Sequence, residues 1–274
     1  MSEYGNHLSE PPDTCANMPT MNAVHSLADL LSAAQAGVAF TGAGISTESG
    51  IPDFRRPGGV WARHRPVQYD EFVASREARV RFWQQRIEVY RDFANASPND
   101  GHKAIARLEQ LGKIAAVVTQ NIDGLHQLAG SRRVIELHGT ARIVACIDCG
   151  KEWTPEEIHA RVQAGDEAPD CDACGAPLKS KTISFGQAMP QDAMREATEL
   201  SKQADLYLAI GSSLVVEPAA SLPRLAKQYG AALVIINKTE TPLDEIADLV
   251  IHDSIGPTLR TALERMNPPL HEQP

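Results

Sequence analysis

The chain of 274 residues predicts an α/β protein, a parallel sheet with helices on both faces, plus a smaller lobe. Three observations predict it. Short apolar runs recur along the chain with helical spacing between most of them, the pattern of a parallel sheet buried on both sides. Each run ends at once in a glycine or polar cluster, and the carboxyl ends of such strands are where ligands bind. Two Cys-x-x-Cys pairs sit together in mid-chain, apart from these runs.

The elements follow in order. Residues 1–22, rich in Pro, Ser and Asn without periodicity, read as a disordered tail; residues 23–274 read as one domain. The spacing Val24, Leu27, Leu30, Leu31, Ala34 predicts an amphipathic helix with Gly37 as its stop. A buried strand, Val38 to Thr41, comes next. Further runs lie at Ile114 to Val118, Val134 to Leu137, Leu206 to Ile210 and Leu233 to Ile236; the Val134 run also reads as a loop-edge strand. Between Arg55 and Pro98 the text changes, with Trp61, Phe72, Phe82, Trp83 and Tyr90 among many arginines, which predicts a helical insertion. The sheet lobe is therefore expected over about 23–54, 99–140 and 183–274, and the small lobe over about 55–98 and 141–182.

Composition narrows the function classes. With 43% apolar and 22% charged residues the chain can bury a substantial core. A net charge of −9 gives no basic surface for neutralising phosphates, so no nucleic-acid partner is expected; a cationic substrate tail suits it better. No apolar run approaches the roughly 20 residues that span a bilayer, and the opening lacks a signal peptide's basic and hydrophobic regions. No membrane partner and a cytoplasmic location are expected. Cys15 is read as inert.

Four groups of residues carry chemistry. Thr41-Gly42-Ala43-Gly44-Ile45-Ser46-Thr47 follows a strand, where glycines let backbone approach a pyrophosphate and amides bind it. Thr47 stands where a third glycine belongs, so a bare glycine turn remains open beside the Rossmann-like reading. Pro52 comes too early for a hydride-transfer helix. The segment must break into a loop, and Asp53, Phe54 and Arg55 could close over the nicotinamide end of a dinucleotide. Second, Gln120, Asn121, Asp123 and His138 are delivered by two strand ends into one crevice; His138 can accept a proton near neutral pH, whereas His126 reads as structural. Third, Cys146-x2-Cys149 and Cys171-x2-Cys174, separated by 21 residues, match an all-cysteine zinc ribbon, with two disulfides or a redox pair as the alternative. Fourth, Ile183 to Gly186 and Gly211 to Pro218 could flank an extended peptide added as a strand.

These blocks, in this order, resemble the sirtuin family: Gly-Ala-Gly-Ile-Ser at 42–46, Pro-Asp-Phe-Arg at 52–55, Thr119-Gln120-Asn121-Ile122-Asp123-Gly124-Leu125-His126, Leu137-His138-Gly139, the cysteine pairs, Phe185-Gly186, Gly211-Ser212-Ser213-Leu214 and Ile236-Asn237. The resemblance covers about Val38 to Gly256. It implies an NAD-dependent protein-lysine deacetylase or deacylase. Such an enzyme consumes NAD as a co-substrate and gives nicotinamide, free lysine and O-acyl-ADP-ribose, with acylated lysines of proteins as partners. It further implies one structural zinc on Cys146, Cys149, Cys171 and Cys174. The catalytic residues it implies are His138, Asn121 and Asp123, with His138 as general base toward a ribose hydroxyl. NAD contacts are implied at Gly42, Ala43, Gly44, Ile45, Ser46, Asp53, Phe54, Arg55, Trp61, Gln120, Asn121, Ile122, Asp123, Gly211, Ser212, Ser213, Asn237, Lys238, Thr239 and Ile255.

The chain departs from the family around the peptide strand, where Lys181-Thr182 and Gln187 replace the usual Pro-Asp and Glu. Val60 to Gln68 and Ser131-Arg132-Arg133 look most like the class II sirtuins. Desuccinylating relatives use Tyr-x-x-Arg; here the stretch reads Trp83-x-x-Arg86, so Arg86 could still pair with an acyl carboxylate but lacks the phenol beside it, and it is read first as a surface or helix-pairing residue. Protein ADP-ribosylation and a silent NAD-binding or ADP-ribose-binding scaffold are the alternatives to deacylation.

Overall fold

A computed structural model describes residues 21–52 and 65–266. The sequence expectations for residues 1–20 with Cys15, for Asp53, Phe54 and Arg55, and for Trp61 lie outside the described residues.

Helix α1 spans Met21–Ala33, beginning inside what the sequence assigns to the tail, and buries Val24, Leu27 and Leu31. It ends before Gly37, which is instead the first residue of strand β1 (Gly37–Thr41). A Cβ on Gly37 would lie 2.5 Å from the Lys113 carbonyl oxygen, so glycine serves strand packing there, not the helix stop. The Asp205 carboxylate accepts from the Gln35 and Ala36 amides in the intervening turn.

The remaining sheet strands are β2 (Ile114–Thr119), β3 (Val134–Glu136), β7 (Leu206–Ile210), β8 (Ala232–Ile236) and β9 (Leu249–Ile251). They pair in parallel in the order β3-β2-β1-β7-β8-β9. The Val134 run is thus an edge strand on β2, with Val117 opposite Val134. Strand β9 has no counterpart in the sequence reading: three residues are too few to show a period. β1 and β7 are buried along their whole length, as expected for central strands covered on both faces.

One face packs on α1, α4 (Asp100–Gln110) and α9 (Ile255–Met266), through Leu27, Leu31, Ile105, Leu108 and Leu259. The other packs on α7 (Gln191–Gln203) and α8 (Ser221–Gln228), through Ala197, Leu222 and Ala226. From β1 the chain steps outward to β2 and β3, then returns to β7 on the other side. The topological switch lies between β1 and β7, where the two loops diverge and leave a crevice at the carboxyl ends.

A second sheet, ordered β5-β4-β6 and antiparallel, is built from β4 (Gly139–Cys146), β5 (Glu152–Trp153) and β6 (Leu178–Thr182). Its apolar side shares one cluster with helices α2 (Tyr69–Ala74) and α3 (Arg76–Ala94), through Phe72, Phe82, Trp83, Val144, Ile158 and Leu178. Ile158 belongs to α6 (Pro155–Gln163), capped by Thr154 and Glu157 in a reciprocal capping box. Among the described residues no helix is long and apolar enough to cross a membrane.

Candidate functional site

The glycine turn after β1 opens into a 3₁₀ segment, Ala43–Ser49, that stops at Gly50 with φ +83°, in line with the early break read from Pro52. Its glycines are required by proximity: a Cβ on Gly42 would lie 2.8 Å from the Gly211 carbonyl oxygen, and one on Gly44 would lie 2.7 Å from the Gly211 Cα. Gly42 N donates to Ile210 O and Gly44 N to Gly211 O. The loops after β1 and β7 are thereby fused into one backbone-lined rim over the crevice. Ser212 Oγ donates to Gln120 Oε1 at 2.7 Å, which ties the loop after β2 to the same rim.

Below the rim lies a buried polar network. Ser46 Oγ donates to Asp123 Oδ2 at 2.7 Å, and Asn121 Nδ2 donates to Ser46 Oγ and to Gly42 O, both at 3.1 Å. Asp123 Oδ1 accepts from the Leu125 amide, at the start of the short helix α5 (Leu125–Leu128). Ser46, Asn121 and Asp123 are all buried, so each bond replaces solvation already lost.

His138 sits between β3 and β4, half-buried. Its Nδ1 lies 3.0 Å from the Gln120 carbonyl oxygen. A carbonyl only accepts, so Nδ1 carries the hydrogen and Nε2 is the basic nitrogen. The His138 carbonyl in turn accepts from Ile183 N at 2.8 Å, joining the histidine to the segment after β6. Gly139 turns the chain away at φ +68°; a Cβ there would collide with the Lys181 carbonyl oxygen.

A cavity of ≈ 340 Å³ joins these parts, within the size of small-molecule sites. Its lining combines Ala43, Gln120, Asn121, Ile122 and His138 with Thr182 to Gln187, with Val216, Glu217 and Pro218, and with Phe82, Gln85 and Arg86 of α3. Arg86 is therefore not the surface residue that the sequence suggests. Residues 82, 85 and 86 share one face of the helix, so the guanidinium reaches Thr182 Oγ1 at 2.7 Å and lies 5.2 Å from the Phe82 ring centroid. Trp83, one position round the helix, is wholly buried in the small-lobe core instead.

The other expected nucleotide contacts divide. Asn237, Lys238 and Thr239 stand at the carboxyl end of β8, where Asn237 Nδ2 is folded onto the Thr239 carbonyl and Lys238 and Thr239 are exposed. The side chains of Ile45 and Ile255 are in the hydrophobic core, so neither side chain is presented to a ligand. The Ile255 amide is held by Glu48 Oε1 at 3.0 Å, and Gly256 N by the same carboxylate. Glu48 thus satisfies the first amides of α9.

Sequence reading missed Glu48, Asn99 and His102. Asn99 caps α4 through Oδ1 and donates from Nδ2 to Ile45 O and Ser49 Oγ, clamping the 3₁₀ segment. An Asn just before a helical run is a legible capping signal. His102 Nδ1 bonds Asn99 Oδ1, placing Nε2 toward Ser46 Oγ at 3.5 Å. Burial, opposed by the nearby Asp123 charge, pushes its pKa down to about 4. His126, read as structural, is buried with Nε2 2.9 Å from Thr41 Oγ1; burial and then His102 hold it well below the usual imidazole range.

The four cysteines converge. Cys146 ends β4, and all four Sγ atoms lie within 4.8 Å of one another, with Cys146 to Cys174 at 3.4 Å and Cys149 to Cys171 at 3.6 Å. Sulfurs at the corners of a zinc tetrahedron, each about 2.3 Å from the metal, are about 3.8 Å apart, so the set fits zinc. The amides of Asp148 and Cys149 point at Cys146 Sγ, and that of Ala173 at Cys171 Sγ, the backbone donors that thiolate ligands need.

The profile of the Sir2 family matches residues 42–218. An NAD-dependent protein deacetylase of Rhodopseudomonas palustris is 53% identical over 238 residues, covering 86% of this chain and 94% of that protein. NAD-dependent protein deacetylase 1 of Bradyrhizobium diazoefficiens is 52% identical over 86% of this chain and 93% of its own. A solved structure of Sir2 with a p53 peptide and NAD+ superposes with a TM-score of 0.81 at 41% identity, covering 88% of this chain and 97% of that one. Matched along most of its length in both sequence and fold, the chain belongs to the Sir2 family.

Proposed function

We propose that this protein is an NAD-dependent protein-lysine deacetylase, which consumes NAD and leaves nicotinamide, free lysine and O-acyl-ADP-ribose. The observation that carries the reading is one cavity lined by Ala43 of the glycine turn, by Asn121 and His138, and by both the Ile183–Gly186 and the Val216–Pro218 segments. One chamber can therefore hold the nicotinamide ribose against an acyl-lysine.

In this reading the amides of the glycine rim bind the pyrophosphate. Asn121 and Asp123, held by Ser46, orient the ribose and amide ends of the dinucleotide. His138 takes a proton from a ribose hydroxyl through Nε2, because the Gln120 carbonyl fixes its tautomer; this is general-base work that a passive NAD reader would not need. An acyl-lysine peptide lies extended between Ile183–Gly186 and Val216–Pro218. The zinc supplies no chemistry: four thiolates leave no open position, and its role is to hold the ribbon behind β6. Residues 23–274 act as one catalytic unit, with the small lobe supplying the acyl end of the cavity.

The relatives support the co-substrate. Solved Sir2 structures with an acetylated peptide and with a propionylated peptide, at 40% identity, support short acyl chains on lysine. Purified protein incubated with NAD and acetyl-, succinyl- and lipoyl-lysine versions of one peptide, followed by mass spectrometry, should release nicotinamide and O-acetyl-ADP-ribose in equal amounts. Nicotinamide with protein-bound ADP-ribose would replace the reading by a transferase, and uncut NAD by a binding scaffold.

A further inference from the structure

Lys179 is a buried lysine that the proposed chemistry does not use. It lies on β6, 4% exposed, and lysine is among the residue types least often buried without a charged partner. Its Nζ donates to the Thr182 carbonyl and to Gln187 Oε1 at 3.2 Å, with Ser180 O at 3.4 Å. Gln187 Oε1 also accepts from the Ser184 amide at 3.1 Å, and Gln187 N donates to Ser184 O. One ammonium therefore ties both ends of the Thr182–Gln187 segment that walls the cavity.

Among the described residues its surroundings supply no anion. Every acceptor of the Lys179 ammonium among the described residues is neutral. The Phe82 ring from α3 and the Tyr69 ring from α2 face it, at 5.6 and 6.0 Å, and such faces attract a cation. Arg86 of α3 is the charged group turned toward it, and it repels. Lys181, two positions on, points outward and pairs with Glu152 at 2.7 Å. A buried charge without a counter-ion is costly, and an apolar side chain of the same length would fill the space better. The ammonium is therefore explained by what it holds, not by packing.

We propose that Lys179 is a positioning residue for the protein substrate: its buried ammonium braces the Thr182–Gln187 wall and thereby sets the affinity for the acyl-lysine peptide. The inference rests on the deacetylase reading for the identity of that peptide. Tyr69 N, which donates to Phe185 O at 2.9 Å, holds the middle of the same segment, so loss of the brace releases its two ends. Burial, then Arg86, push the Lys179 pKa down to about 7, which places the brace's charge within the neutral range.

The test compares the full-length protein with Lys179→Met and Gln187→Glu, using an acetyl-lysine peptide and NAD. Lys179→Met should raise both the peptide KM and the peptide Kd, measured by calorimetry without NAD, by about tenfold or more, while kcat and the NAD KM hold within about twofold. In the wild type the peptide KM should climb as pH rises through about 7. Gln187→Glu, by giving the ammonium a carboxylate, should move that climb upward by about one pH unit or more, and Lys179→Met should abolish it. An unchanged peptide Kd in folded Lys179→Met overturns the proposal, as does an equal loss in kcat and the NAD KM. Should Lys179→Met fail to fold, an unmoved pH profile in Gln187→Glu overturns it instead. A wild type that binds the peptide but releases no nicotinamide sinks the deacetylase reading alone; the calorimetric comparison still decides Lys179.

Discussion

Gly44 and Gly211 meet backbone to backbone: the Gly44 amide donates to the Gly211 carbonyl at 2.8 Å, and a Cβ on either residue would lie within 3 Å of the other's loop. Two loops separated in sequence by most of the molecule form one rim because β1 and β7 are neighbours at the point where the strand order reverses.

Gly211→Ala tests that rim. Gly211 has φ +63°, and the added Cβ would lie 2.4 Å from Ile45 N. The left-handed backbone and the collision together should cost about 2–4 kcal/mol and raise the NAD KM by about tenfold or more, measured by thermal melting and nicotinamide release. A variant with wild-type NAD affinity would mean that the rim does not hold the dinucleotide.

His138→Asn removes the basic nitrogen and leaves the backbone bond to Ile183 N in place. Acetyl transfer should fall by about 10²- to 10⁴-fold with an unchanged melting temperature. Activity within about tenfold of wild type would remove His138 from the role of general base.

Cys171→Ser should release the metal and loosen the ribbon. Wild-type protein should carry one zinc per chain by atomic emission, and a chelator should lower its thermal stability, because structural zinc stabilises the folded module directly. A zinc-free Cys171→Ser protein with wild-type activity and stability would refute a structural role for the site.

Acid stability should depend on His102. Its pKa lies at about 4 in the fold against about 6.5 when unfolded, so the unfolded chain binds the proton first as pH falls. Stability from this group is complete above pH 6.5 and declines down to pH 4, a loss of about 3 kcal/mol. His102→Gln should flatten that part of the stability curve in urea titrations at pH 7 and pH 4.5. Identical pH dependence in variant and wild type would show that His102 does not titrate as a buried imidazole.

Local patterns were legible where a residue's role depends on its near neighbours in the chain. Leu206 to Ile210 is a strand with the bounds that its apolar run suggests. The cysteine pairs converge as their spacing implies, because each Cys-x-x-Cys is a short turn with its own backbone donors. Gln120, Asn121 and His138 come together because adjacent parallel strands end side by side.

Other features depended on contacts that no local period encodes. Glu48 holds Gly256 across 208 positions, Arg86 turns into the cavity because α3 lies over β6, and β9 is a strand only because β8 is there to pair with it. Sequence alone determined the fold class, the central strands and the metal ligands, since periodicity and ligand spacing are properties of short stretches. Tertiary structure alone decided which polar groups lost their water and which partners they found, and that burial sets the charge on His102 and the work of Lys179.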